Sequence, residues 1–238
     1  MLISEIHRYF KVLVNKLDTL NYLNFEPEEI DLLLNQAMFR IIEQRAYGTN
    51  PKNESLEETQ KRIDDLKNIV KSYSTSTFTT NTDNKLNGKF VNLPTDYRHA
   101  IHEECLITYS DCNSVTRTKR VPIKPITHDR YNTIINDPFN KPYEDLVLRL
   151  AHAKVAATEV FELLSDGVFT VTTYYLRYLQ TPTSMQYGTT YSTPTTDVEC
   201  VLGEHLHREI AEAAAKIAIE TIESPRIATY PQLQRETE

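Results

Sequence analysis

An α+β fold, a helical bundle with an antiparallel β domain inserted into it, follows from three features of the chain. Apolar residues recur at helical spacing near both ends, and the middle holds runs rich in Val, Ile, Thr, Tyr and Phe broken by turn residues. Leu93-Pro94-Thr95-Asp96-Tyr97 stands where the helical pattern gives way to the β pattern. Proline fixes its own φ and biases Leu93 toward extended backbone, so a strand through residues 89–93 ends here. Asp96 can then open a turn, with Leu93 and Tyr97 as apolar anchors on either side, which makes Leu93, Pro94, Asp96 and Tyr97 a structural joint without chemistry.

The helical part covers residues 1–71. Ile3, Ile6, Phe10, Leu13, Leu17 and Leu20 lay one apolar stripe along a first helix. A second spans Pro27 to about Gln44: Pro27 suits a first turn, Glu28 and Glu29 favour the positive end of the dipole, and Gly48 lies just beyond. Its buried face is Ile30, Leu33, Leu34, Ala37 and Ile41. A third helix begins at Ser55, with Glu58 completing a capping box, and continues through Ile63, Leu66, Ile69 and Val70 with a charged, exposed outer face.

Residues 72–88 are rich in Ser, Thr and Asn and read as a linker or loop. The β-rich domain is 89–179. Ala100 to Tyr109 and Val115 to Ile123 pair around Asp111–Ser114; a short helix runs from Thr127 to about Asn136; Leu146–Leu150 is a strand; and Val160–Leu164 and Val168–Leu176 flank Ser165-Asp166-Gly167 as a hairpin. Residues 180–196 form a loop long enough to suggest a role at a partner subunit. Asp197 caps a helix that runs to about Ser224 before Pro225, roughly 40 Å at 1.5 Å per residue. Leu206, Ile210, Ala213 and Ile217 mark one face, and Ala211, Ala214, Ala215 and Ala218 let another helix approach closely. Residues 225–238 form a tail that orders against something else.

The chain has 238 residues and net charge −7. That balance opposes a protein that wraps nucleic acid by neutralising phosphates. No run approaches the roughly 18 apolar residues of a membrane span, and the N-terminus lacks the pattern of a signal peptide. The chain reads as soluble, made in a cytoplasm. Cys105, Cys112 and Cys200 are odd in number and irregularly spaced, which fits free thiols. No catalytic motif is present: the phosphate-binding, metalloprotease and hydrolase signatures are missing, and five glycines leave little for a phosphate cradle. His99 and His102 beside Glu103, Glu104 and Cys105, or His205 and His207 beside Glu204 and Glu209, could be drawn as metal clusters, but the second pair falls on different helix faces and reads as solvated surface. The reading is therefore of no enzyme, no metal and no cofactor. Arg117, Lys119, Arg120 and Lys124 form a small basic cluster: a charged edge strand, or an electrostatic contact with an acidic neighbour or a passing phosphate backbone.

Taken in order, the segment Phe25-Glu26-Pro27-Glu28-Glu29-Ile30-Asp31-Leu32-Leu33-Leu34-Asn35-Gln36-Ala37, the Leu93–Tyr97 joint, the short helix near Thr127, the Leu146 strand, the hairpin ending in Tyr175-Leu176-Arg177-Tyr178-Leu179 and the Asp197 helix resemble head-to-tail connector proteins of tailed bacteriophages. The Asn/Thr/Tyr bias of the loops is most similar to neck ring proteins of crAss-like podoviruses. The resemblance implies a structural virion protein of the neck: a homo-oligomeric ring, a dodecamer, between portal and tail. It would extend the DNA ejection channel, contact the portal, an adjacent ring or a tail protein, and let DNA pass without sequence-specific binding. It also implies that the tail from Arg226, with Tyr230 and Leu233, docks on the portal. A competing class, a stand-alone carbohydrate- or protein-binding module, draws support from the 14 tyrosines.

Overall fold

The computed structural model describes residues 1–17, 25–48, 56, 59–79, 87–155, 158–188 and 196–221. In chain order the elements are α1 (Ile3–Leu17), α2 (Pro27–Tyr47), α3 (Gln60–Leu66) with a 3-10 turn (Lys67–Ile69), β1 (Val70–Thr75), β2 (Gly88–Asn92), β3 (Tyr97–Ser110), β4 (Thr116–Pro125), α4 (Tyr131–Ile135), β5 (Val147–Val155), β6 (Thr158–Leu164), β7 (Thr170–Gln180) and α5 (Glu204–Thr221). The fold is α+β. Two compact units divide the chain: Met1–Ile69 with Pro182–Glu238, and Val70–Thr181.

In the helical unit, α1 buries Ile3, Ile6, Phe10 and Val14, a stripe at steps of three and four. Leu20 of the expected stripe lies outside the described residues. Helix α2 starts at Pro27, with the Glu26 N–H donating to Glu29 Oε2 at 3.0 Å, and ends at Gly48, whose φ of 68° suits a residue without Cβ. It buries Ile30, Leu34, Ala37, Met38, Ile41 and Ile42, while Leu33 is half-buried.

The third helix is shorter than its apolar pattern suggested. It runs Gln60–Leu66, Ser55 and Glu58 lie outside the described residues, and Val70 already belongs to β1. Its charged positions are not all solvent-facing: Arg62 and Asp65 are buried while Ile63 is exposed, because the charges meet partners inside the unit.

The C-terminal helix starts at Glu204, not Asp197. Asp197 Oδ1 accepts the Gly188 N–H at 2.7 Å, and Gln186 and Val198 exchange backbone hydrogen bonds, so this stretch is pinned as extended chain. The buried stripe of α5 is Leu206, Ile210, Ala211, Ala214, Ala215, Ala218 and Ile219. The alanines are thus its core face, packed close to α1 and α2, and Ala213 and Ile217 are half-buried. Ser224 and the tail residues Arg226, Tyr230 and Leu233 lie outside the described residues.

The β unit is one seven-stranded sheet in the order β1-β7-β3-β4-β5-β6-β2. Residues 70–75, within or beside the expected linker, pair antiparallel with β7, Tyr73 opposite Leu176. Alternation explains this: Tyr73 packs on the core while Ser72 and Ser74 face water. The sheet is mixed, since β4 and β5 run parallel through Ile123↔Val147. β6 lies between β5 and β2, and β7 between β1 and β3, so Asp166-Gly167 does not join a hairpin. Gly167 at φ 87° and the Val168 N–H on Asp166 Oδ1 at 2.9 Å make a turn that redirects the chain between two parts of the sheet. The sheet curls until its edge strands meet: the Tyr73 hydroxyl donates to the Asn92 carbonyl at 3.2 Å, and Thr79, just past β1, bridges Phe90 of β2. Cys105, Ile107, Val121, Val147, Phe161 and Tyr174 fill the interior.

Candidate functional site

The Leu-Pro-x-Asp-Tyr joint lies within the β unit, between β2 and β3, and the chain passes from helices to sheet earlier, at Ile69–Val70. Leu93 is buried in the sheet core, and the Tyr97 N–H closes a turn on the Pro94 carbonyl at 3.1 Å. Asp96 gathers the most partners. Its Oδ2 accepts from Lys71 Nζ at 2.9 Å, its Oδ1 from the Tyr178 hydroxyl at 2.9 Å, and its carbonyl from the Thr181 N–H at 2.7 Å. Lys71 and Thr181 stand at the two ends of the unit, so one aspartate holds together the strand on which the chain enters and the point at which it leaves. Burial alone would push its carboxyl up; the hydrogen bonds from Lys71 and Tyr178 outweigh that and hold it below the usual carboxylate range. Burial, followed by the hydrogen bond to Asp96, pushes the Tyr178 hydroxyl up to about 12.

The second landmark, on α2, has an equally local task. Asn35 Nδ2 donates to the Met185 carbonyl at 2.9 Å and its Oδ1 accepts the Met185 N–H at 2.8 Å, so the side-chain amide pairs with backbone as a strand would. One turn earlier, Asp31 accepts from His7 Nε2 at 2.7 Å and from the Tyr187 N–H at 3.0 Å. Residues 185–187 of the long loop are thereby tied to α2, with Met185 buried; residues 189–195 lie outside the described part.

The basic cluster divides. Side chains alternate along β4, so Arg117 and Lys119 point to one face, Arg120 and Lys124 to the other. Arg117 pairs with Asp111 at 2.7 Å, Lys119 with Asp145, and Arg120 with Glu104 at 3.5 Å. Arg120 alone of the four lines a cleft of about 350 Å³ on the outer face of the sheet. The cleft crosses four strands: Ser72 and Ser74 of β1, Tyr175 and Arg177 of β7, His102 and Glu104 of β3, and Arg120 of β4. In register, Tyr175 lies opposite Ser74 and Glu104, and Arg177 opposite Ser72 and His102. A bulge between Ala100 and His102 re-aims this part of β3. The Arg120 guanidinium stacks 4.3 Å from the Tyr175 ring centroid. His102 donates to Glu104 at 2.8 Å and, with Arg120 and Arg177 nearby, holds that carboxyl below its ordinary range. Two guanidiniums against one carboxylate leave the cleft positive on an acidic protein.

Burial pushes the Cys105 thiol up to about 12, and Cys105, Cys112 and Cys200 are free. The His205 and His207 pair does fall on different helix faces: His205 is exposed, as expected, and meets Asp65 at 2.9 Å, whereas His207 is buried, with Nε2 on the Leu202 carbonyl at 3.1 Å, and is not solvated surface. No group of three or more His, Cys, Asp and Glu among the described residues is placed to hold a metal. No helix of the described residues is long and apolar enough to cross a membrane.

Sequence reading missed Tyr175 and Arg177 as surface residues because they lie 55 and 57 positions from Arg120 and only strand register brings them together. The period-two alternation of β7 was the available signal.

The organisation as a helical unit and a curled sheet can be set beside known proteins. The chain is similar to "Ring protein 3" of Bacteroides phage crAss001, 26% identical over 230 residues, covering 91% of this chain and 94% of that protein. The model of the phage tail ring protein 3/4 family matches residues 1–226, and the chain belongs to that family of crAss-like phage ring proteins, structural parts of the virion that assemble as oligomers.

Proposed function

We propose that this chain forms a closed ring, a dodecamer, in the phage neck between portal and tail, joining head to tail and extending the channel through which DNA is ejected. The single observation that carries this reading is the family match over residues 1–226. The acidic balance supports it, because a channel that lets DNA slide should not hold phosphates, and the chain carries a net charge of −7. In this reading the helical part, completed by α5, and the β part inserted into it divide the work of ring packing and contact with the next ring. The tail from Arg226, with Tyr230 and Leu233, docks against the portal. The experiment is negative-stain microscopy and mass photometry of the purified chain, alone and with portal protein. Rings or portal-bound rings are expected; a chain that stays monomeric and ignores portal and tail proteins alike overturns the reading. Removal of residues 226–238 should leave the monomer folded and weaken docking, and normal particle assembly without them would count against that role.

A further inference from the structure

We propose that the loop of residues 137–145 of one copy seats in the positive cleft on the β unit of the next copy, forming a head-to-tail contact of the ring; this rests on the ring reading above. The loop is built to present an aromatic group. Phe139 is 89% exposed. It is nonetheless held in place, since Asp137 Oδ1 accepts the Phe139 N–H at 3.0 Å, Oδ2 accepts from Asn140 Nδ2 at 2.6 Å, and the Asp137 carbonyl accepts the Lys141 N–H at 3.1 Å. Tyr143, also exposed, exchanges backbone hydrogen bonds with Leu146. Pro138 and Pro142 fix two further φ angles. An exposed Phe on an ordered loop loses little conformational entropy when it becomes buried.

The loop and the cleft match in chemistry. Next to Phe139 and Tyr143 the loop carries the exposed carboxylate of Glu144, and it is acidic as a whole, with Asp137, Glu144 and Asp145 against Lys141. The cleft offers Arg120 stacked on Tyr175, the exposed Arg177, and the hydroxyls of Ser72 and Ser74. Aromatic and arginine side chains of this kind dominate the energy of protein interfaces when they are desolvated together.

The two surfaces also lie apart in one chain. Lys119 and Arg120 are adjacent on β4 and point to opposite faces; Lys119 reaches Asp145 at the base of the loop, while Arg120 lines the cleft. In strand order the cleft extends from β4 toward β3, β7 and β1, whereas the loop leads into β5 on the other side. Two complementary patches on opposite sides of one strand make a heterologous contact, which closes into a ring when the rotation between copies allows.

A charge swap tests the proposal under whatever condition gives rings of the wild-type chain, alone or on portal. Glu144→Lys, Arg120→Glu and Phe139→Ala are each expected to weaken association about tenfold or more, read by mass photometry across a dilution series. The double variant E144K/R120E restores it to within about threefold, a fraction of the tenfold step, which a merely misfolded variant would not do. Phe139 and Glu144 are exposed, so their variants keep the fold, checked by circular dichroism. Rings from all three single variants at wild-type concentrations overturn the loop-in-cleft contact and leave the ring reading standing; single defects that the double variant does not repair overturn it too. Absence of wild-type rings under every condition overturns both.

Discussion

The two units use charge in opposite ways. In the helical unit Met1–Glu204 and Lys67–Asp64 pair at the surface, but the largest ionic network is inside: Asp65 is 1% exposed and is surrounded by Arg45 at 3.4 Å, Arg62 at 3.8 Å and His205 at 2.9 Å, and Arg45 continues to Glu209 at 2.5 Å. These contacts join α2, α3 and α5. In the β unit most ion pairs are outside, with the Arg117 and Arg120 side chains about 60% exposed, and Glu103–Arg149 at 3.1 Å and His152–Glu162 at 2.9 Å are the buried exceptions among the described residues. Burial pushes the Glu103 carboxyl up and Arg149 partly offsets that, with the guanidinium stacked 4.0 Å from the Phe161 ring centroid. A buried pair fixes how elements of one chain fit together, because breaking it strands a charge in apolar surroundings. An exposed pair holds little and can exchange its partner for one on another molecule.

The sharpest way to break this comparison is Asp65→Ala. It leaves two arginines facing each other without their shared carboxylate, and the expected cost is about 3–5 kcal/mol in urea unfolding followed by circular dichroism. A cost below about 1 kcal/mol would make the buried network no different from a surface pair. Asn35→Ala comes next. It removes both hydrogen bonds to the buried Met185 backbone, which should cost about 2–3 kcal/mol and expose residues 182–188 to limited proteolysis before the rest of the helical unit. Unchanged cleavage would show that the loop is held by something other than Asn35.

Asp96→Asn tests the exposed end of the comparison, where a charge is shared between strands. Two charge-assisted contacts weaken without vanishing, so about 1–2 kcal/mol is expected. The sign with pH follows from the direction of the shift. A carboxyl held below its ordinary range contributes stability above the unfolded pKa and loses it as pH falls through the folded one. The gap between wild type and variant should therefore be full at neutral pH and shrink on acidification below about pH 4, the ordinary carboxylate range. A gap that is constant or grows in acid would exclude Asp96 as the charged partner.

The α+β class and the helix and strand types of most segments were legible because period and turn chemistry are local. What was not legible was pairing. Val160–Leu164 and Val168–Leu176 flank an Asp-Gly turn and still go to different neighbours, since the length of β3 and the apolar face it offers decide where β7 lies. The polar strand β1 hid in a Ser/Thr-rich stretch because only Tyr73 faces the core and the hydrogen bonds to β7 do the rest. The landmarks Asn35 and Asp96 could be located but not explained, because their partners, Met185 and Thr181, lie 150 and 85 positions away. The basic cluster was found as four residues, and alternation along β4 then leaves Arg120 alone at the cleft with partners no spacing rule supplies.

Arg117 and Arg120 give the smallest and most discriminating contrast. Both are about 60% exposed, both pair with one carboxylate, and by stability alone they should be equivalent. Arg117→Gln and Arg120→Gln are each expected to change unfolding by less than about 1 kcal/mol, an effect that shrinks further in high salt. Association should separate them. Arg117 supports the turn between β3 and β4 through Asp111, which also accepts the Asn113 and Val115 N–H groups, so its loss stays local. Arg120 stands over Tyr175 in the cleft, so its loss should raise the concentration at which rings form while leaving the monomer unfolding curve in place. Equal assembly by the two variants would mean that exposed charge on this sheet serves solubility and nothing more, and the difference between the units would reduce to one of burial.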